Sequence, residues 1–325
     1  MDSIRRRQGV DMTRLSPPDS ISSLPAGMAL AGAFSRWGIR MITLVEGAGG
    51  DPRNAHAFAV ASDLAYLPSA EAVPAYKKQF GMDAKLLSVD NTQVYVLQDD
   101  KNIVLAFRGT EAPTSLDGIK DWLLTDAVNL LVVPSGRLGT DLAAAGVGAR
   151  FHQGFVGAIG EIWGPVSGEV EKAMSKSERP LWITGHSLGG ALALFSGWLL
   201  HRKFISVHQI YTYGAPMVGN TLASKAFDRE FAGQIFRYRN GPDPVPMLPT
   251  ISLMTNDYGH CQKEVAVGSA IVSPVEYFKS LIGRAVTGSL DRSLVDEVWA
   301  HLKGRLDAHA MTNYLTLVKQ KFGLA

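Results

Sequence analysis

The chain has 325 residues, 46% hydrophobic and 19% charged, so it can bury a large core and is not a disordered polymer. Lys and Arg total 32 against 30 Asp and Glu, a formal charge of +2, which gives no basis for an extended basic nucleic-acid surface. The single cysteine, Cys261, excludes an intrachain disulfide and cannot build a zinc cluster by itself. At roughly 150 residues per domain the length allows about two domains, or one large α/β unit with decorations.

The N-terminus carries Arg5, Arg6 and Arg7, then the apolar segment Leu24–Phe34. Asp11, Arg14 and Asp19 separate the two, which makes a poor signal peptide. A cytoplasmic location is slightly favoured and secretion stays open. No stretch reaches 18 consecutive apolar residues, so no transmembrane helix is expected. Residues 1–50 are expected to be a partly disordered extension. Residues 51–325 are expected to form a single domain with an insertion around 262–300.

Downstream of the Gly47–Pro52 loop, one apolar stripe predicts a helix over Ala55–Leu67. Gln93–Leu97 and Asn102–Phe107 read as a β-hairpin with Asp99-Asp100 in the turn. Phe155–Met174 is helical in pattern, with Gly164-Pro165 expected to kink or split it. Leu181–Thr184 is a short strand of the kind buried on both faces, and Ala191–Leu200 is a helix. Strand Val207–Tyr213, helix Leu222–Phe231 and strand Ile235–Arg239 follow. Leu294, Val295, Val298, Trp299 and Leu302 form one helical stripe, and Met311, Tyr314, Leu315, Val318 and Phe322 another. This alternation predicts an α/β fold with a mostly parallel central sheet flanked by helices.

The sharpest motif is Gly185-His186-Ser187-Leu188-Gly189-Gly190, between the strand at Leu181–Thr184 and the next helix. Gly-x-Ser-x-Gly in a strand–turn–helix context marks a nucleophile elbow. The turn lifts Ser187 Oγ clear of the sheet, and the helix start aims free N–H groups at a developing oxyanion. His186 is adjacent to Ser187 but points elsewhere on so tight a turn, so packing of the elbow is its expected role.

Beyond the elbow, the chain contains Phe107-Arg108-Gly109-Thr110, Asp121–Asp126, His152-Gln153-Gly154-Phe155, Tyr211–Asn220 and Asp243–Pro249. With the elbow, their order and spacing resemble the class 3 lipase family, the fungal-type triacylglycerol lipases and their bacterial and plant relatives. The resemblance runs from about residue 55 to the C-terminus. It implies an α/β-hydrolase fold, hydrolysis of carboxylic esters by a serine hydrolase, and no cofactor or metal. It also implies an ester or lipid substrate, with transient contact at a lipid interface as an option. No nucleic-acid partner is expected.

A neutral hydroxyl needs a base and an orienting acid, in the chain order serine, acid, histidine. Asp243 sits in the proline-stiffened loop Asn240-Gly241-Pro242-Asp243-Pro244, where the family has its catalytic aspartate. Taken by itself, an aspartate in such a loop is more often a turn former. Three of the eight histidines lie after it: His260, His301 and His309. The resemblance assigns His260 a non-catalytic place and puts the base at His309, with Tyr314 as the aromatic residue following it. A solvent-exposed helix-start histidine is the plainer reading of His309. For the oxyanion hole the resemblance points to the N–H of Thr110, beside that of Leu188. Acylglycerol hydrolysis is the expected reaction, with triacylglycerol as substrate. A carboxylesterase or feruloyl-type esterase for soluble esters, or a phospholipase, is the alternative. The segment after Thr110, Glu111–Lys120, is short and polar for a lipid-facing lid, and Ala127–Val133 and Val275–Val286 are apolar enough to cover a site.

Overall fold

The computed structural model describes residues 41–47, 49–109, 131–133, 135–248, 258–268 and 305–324. All of them lie in one compact unit, Arg40–Ala325. Thr110, His301, the segments Leu24–Phe34, Glu111–Lys120 and Val275–Val286, and the Leu294–Leu302 stripe lie outside the described residues.

Helix α1 (Pro52–Leu64) begins three residues before its apolar stripe, because Asp51 caps it by accepting from the Arg53 N–H and Pro52 suits the first turn. Helix α2 (Ser69–Phe80) and strand β1 (Asp83–Val89) follow. Neither stands out in sequence: α2 contains Pro74, and β1 has no fully buried residue. Strands β2 (Thr92–Gln98) and β3 (Ile103–Phe107) form the expected hairpin, closed by a Gln98↔Ile103 pair. Asp99 Oδ1 accepts from the N–H groups of Lys101 and Asn102 and sets its turn.

A short helix α3 (Gly139–Ala143) precedes α4 (Gln153–Lys176), which runs unbroken through Pro165. Pro165 and Glu161 are both exposed, so the carbonyl that the proline leaves without a donor faces water, and the helix is not split. Strand β6 (Leu181–His186) is wholly buried, as is β7 (Gln209–Tyr213). Helix α5 (Leu188–Arg202) lies between them and is buried from Gly189 to Leu200, apolar on every side because sheet and helices enclose it. Helix α6 (Thr221–Glu230), strand β9 (Ile235–Asn240), strand β11 (Glu264–Val267) and helix α7 (Met311–Phe322) complete the main framework.

The central sheet has the order β1-β2-β3-β6-β7-β9-β11. The first three strands are antiparallel, and every pairing from β3 to β11 is parallel. This is the α/β-hydrolase arrangement expected from sequence. A second, small sheet joins β4 (Leu131–Val132), β5 (Phe151–His152), β8 (Gly219–Asn220) and β10 (Tyr258–Gly259). Its two-residue strands carry no period that a sequence reading could detect. The parallel register matters for the site. Phe107 pairs with Gly185, and His186 with Tyr213, so the chain leaving β3, β6 and β7 emerges at one end of the sheet.

Candidate active site

Ser187 occupies the turn between β6 and α5 with φ 56° and ψ −129°, a conformation that strains any residue with a side chain. Tertiary structure holds it there. Its N–H donates to the Tyr213 carbonyl at 2.9 Å. The chains cross so closely that a Cβ on Gly185 would overlap the Gly189 carbonyl, and one on Gly189 the Phe107 carbonyl. This is the elbow the motif predicts. Leu188 opens α5, and the first N–H groups of a helix have no intrahelical partner. Gly109 is the last described residue before Thr110, and the Phe107↔Gly185 pairing carries that strand end to the elbow.

Asp243 and His309 meet across 66 positions of sequence, with His309 Nδ1 2.8 Å from Asp243 Oδ2. Both are buried, Asp243 fully. The carboxylate is fully occupied by donors. Its Oδ2 also accepts from the Tyr314 hydroxyl at 2.6 Å, and its Oδ1 from the Val245 N–H at 2.9 Å. A carboxylate only accepts, so His309 Nδ1 carries the proton and Nε2 is left as the basic nitrogen. Nε2 is buried and makes no hydrogen bond among the described residues. Ser187 Oγ is therefore not bonded to it here, as is common where no substrate has drawn a site together.

The two loops are tied to each other. Asn240, at the end of β9, donates from its side chain to the Ala308 carbonyl at 2.9 Å. Its backbone N–H donates to the Tyr314 hydroxyl at 3.0 Å. Burial and the adjacent Asp243 carboxylate push the Tyr314 phenol well above its ordinary range, so it stays a donor. His309 lies in a 3₁₀ turn, Leu306–His309, just ahead of α7, and is buried rather than exposed.

Gly214 forms the wall behind this pair. Its φ is +58°, and a Cβ there would lie 2.8 Å from Asp243 Oδ2 and 3.0 Å from His309 Nδ1. Gly214→Ala is expected to destabilise the fold by about 1–2 kcal/mol, from φ strain and crowding together. Urea unfolding measures this, and an unchanged midpoint would refute such close packing. In sequence Gly214 is one residue of the Tyr211–Asn220 segment, and only the crossing of β7 with the two distant loops gives it this role.

His260 is bonded elsewhere. Its Nε2 donates to the Pro246 carbonyl at 2.5 Å, and burial lowers its pKa to about 3.

Residues 104–253 match the family described as Lipase (class 3). Secreted mono- and diacylglycerol lipase 1 of Fusarium solani is 34% identical over 164 residues, 48% of this chain and 43% of that protein. Secreted mono- and diacylglycerol lipase A of Penicillium cyclopium is 28% identical over 189 residues, 56% and 54% of the two chains. The chain thus spans about half the length of the curated relatives it matches. Among solved structures, a mutant form of MDLA from Penicillium cyclopium superposes with a TM-score of 0.54 at 22% identity, covering 70% of this chain and 85% of that one. The Rhizomucor miehei triacylglyceride lipase gives a TM-score of 0.52 at 22% identity, covering 68% and 82%. At that identity the superpositions bear on the fold alone, and they agree with the sheet described above. Residues 104–253 thus carry a class 3 lipase match, and the sheet topology and the elbow are those of an α/β-hydrolase fold.

Proposed function

We propose that this protein is a serine ester hydrolase acting on acylglycerols through Ser187, His309 and Asp243, with the oxyanion held by the N–H groups of Leu188 and Thr110. The observation that carries the reading is the buried His309–Asp243 pair beside a strained serine. In the first step His309 Nε2 takes the proton from Ser187 Oγ as that oxygen attacks the ester carbonyl carbon. Asp243 holds the imidazole by Nδ1 and stabilises its charged form. The tetrahedral oxyanion is bound by the two N–H groups, the ester C–O bond breaks, and His309 protonates the departing alcohol. Water then repeats the sequence on the acyl-enzyme and releases the acid.

Acylglycerols are chosen because several of the sequence relatives are named mono- and diacylglycerol lipases, while one of lower identity, from Arabidopsis thaliana, is named a phospholipase A(1). One observation favours a second reading, hydrolysis of small soluble esters. The segment Glu111–Lys120 holds Glu111, Asp117 and Lys120 among its ten residues and lacks a continuous apolar stripe. The test is an initial-rate series on p-nitrophenyl esters from acetate to palmitate, then on mono-, di- and triacylglycerol and phosphatidylcholine emulsions. A long-chain optimum with acylglycerol turnover is expected. A peak at acetate or butyrate with no emulsion activity would replace it with the soluble-ester reading, and turnover confined to phosphatidylcholine would make the protein a phospholipase.

A further inference from the structure

His186 is a buried polar group and Tyr66 a half-buried one, and the mechanism above uses neither. The Tyr66 hydroxyl lies 2.7 Å from His186 Nδ1, and His186 Nε2 lies 2.7 Å from the backbone carbonyl of His309. A carbonyl can only accept, so Nε2 carries the imidazole proton. Nδ1 is then bare, and the Tyr66 hydroxyl must donate to it. The phenolic oxygen also packs against the backbone of Gly109, directly before Thr110. Both bonds have a forced direction: Tyr66 O–H to His186 Nδ1, and His186 Nε2–H to the His309 carbonyl.

The chain joins parts of the site that are far apart in sequence. Tyr66 follows α1, His186 ends β6 beside Ser187, and His309 belongs to the turn before α7. We propose that Tyr66 and His186 are positioning residues, a two-side-chain relay that fixes the His309 backbone relative to Ser187 and to the strand end leading into Thr110. This rests on the reading of His309 as the base. Asp243 fixes the tautomer of His309 and the rotation of its ring. The relay fixes the height of its backbone, which the carboxylate does not touch.

Two further features support this. Burial drives the pKa of His186 far below the ordinary imidazole value, and the neighbouring His309 lowers it further. The rings of His186 and His309 have centroids 4.5 Å apart. A neutral His186 therefore adds no second positive charge when His309 is protonated during turnover. The crossing is also tight: a Cβ on Gly109 would overlap the Tyr66 hydroxyl and lie 2.6 Å from the His186 carbonyl.

The test uses full-length Tyr66→Phe, His186→Gln, His186→Leu and Ser187→Ala proteins. Active sites are counted with a p-nitrophenyl phosphonate, and kcat and KM are measured on p-nitrophenyl butyrate. Tyr66→Phe deletes one oxygen and is expected to lower kcat per titrated site about tenfold, with KM within about twofold of the parent. His186→Gln keeps a side-chain N–H for the His309 carbonyl and is expected to retain at least about tenfold more kcat than His186→Leu. General loosening of the core would not produce that rescue. A Tyr66→Phe protein within about twofold of the parent in kcat, or equal kcat for the Gln and Leu proteins, overturns the relay. If His186→Leu does not fold, Tyr66→Phe decides alone. Full activity in Ser187→Ala would instead overturn the underlying mechanism. An inactive Ser187→Ala beside an unimpaired Tyr66→Phe would remove the relay only.

Discussion

Ser187→Ala is expected to lower kcat by about 10⁴-fold or more, and Ser187→Gly to do the same while making the protein more stable. In the proposed mechanism the loss follows from removing the oxygen that forms the acyl-enzyme. The gain follows from φ 56° and ψ −129° at this turn. Such a conformation costs a non-glycine residue on the order of 1–3 kcal/mol. Glycine avoids that cost but brings a more flexible unfolded chain, worth roughly 0.5–1 kcal/mol in the other direction. A net gain of about 1 kcal/mol is expected, read as a rise in the denaturant midpoint. Alanine keeps the strain, so Ser187→Ala should unfold near the parent midpoint. If Ser187→Gly unfolds earlier than the parent, the turn is not strained in the way its dihedrals indicate. If Ser187→Ala still hydrolyses esters at the parent rate, Ser187 is not the nucleophile.

Asp243→Asn is expected to cost a comparable factor, about 10⁴-fold in kcat, although the side chain keeps its shape. Three donors converge on the carboxylate: His309 Nδ1, the Tyr314 hydroxyl and the Val245 N–H. An amide has one oxygen and one NH₂ group. If its oxygen stays on Val245, the NH₂ faces both His309 and Tyr314. His309 must then present a bare Nδ1, which moves its proton to Nε2, and the nitrogen needed as base becomes a donor. If the amide flips, its NH₂ opposes the Val245 N–H in a fully buried site. Either arrangement leaves a buried polar group mismatched, so a stability loss of about 1–3 kcal/mol should accompany the rate loss. The check is kcat over a pH range together with thermal unfolding. A variant that keeps the parent rate would show that Asp243 only shapes its loop. A large rate loss without any stability loss would show that the site repacks around the amide.

The local parts of this site were legible in the sequence, because each rests on residues close together in the chain. The elbow is one strand, one turn and one helix start, and Gly185 and Gly189 are needed within four positions of each other. The buried strand at Leu181–His186 declared itself by the short, mostly apolar run Leu181–Thr184, and the strand at Gln209–Tyr213 was expected over Val207–Tyr213. The alternation of strands and helices was enough for the fold class, since a parallel sheet requires a crossover between strands. Helix α2, strand β1 and the small second sheet were not legible. One contains a proline, one is only half-buried, and the last is made of two-residue strands.

The choice of base shows the division most plainly. His260, His301 and His309 all follow Asp243, and family resemblance rather than residue pattern singled out His309. Only the fold brings His309 to Asp243 and sends His260 to the Pro246 carbonyl. The roles of Tyr66 and Gly214 had no local signal, because each acts at a crossing of segments more than a hundred residues apart in the one case and ninety-five in the other. By itself the sequence determined the fold class, the nucleophile turn and its glycines, since these depend on short-range sterics and periodicity. The tertiary structure decided which polar groups share a buried space, and so which histidine meets the acid and which hydroxyl steadies it. That depends on strand register and on burial, where a donor must find an acceptor from whatever segment the fold supplies.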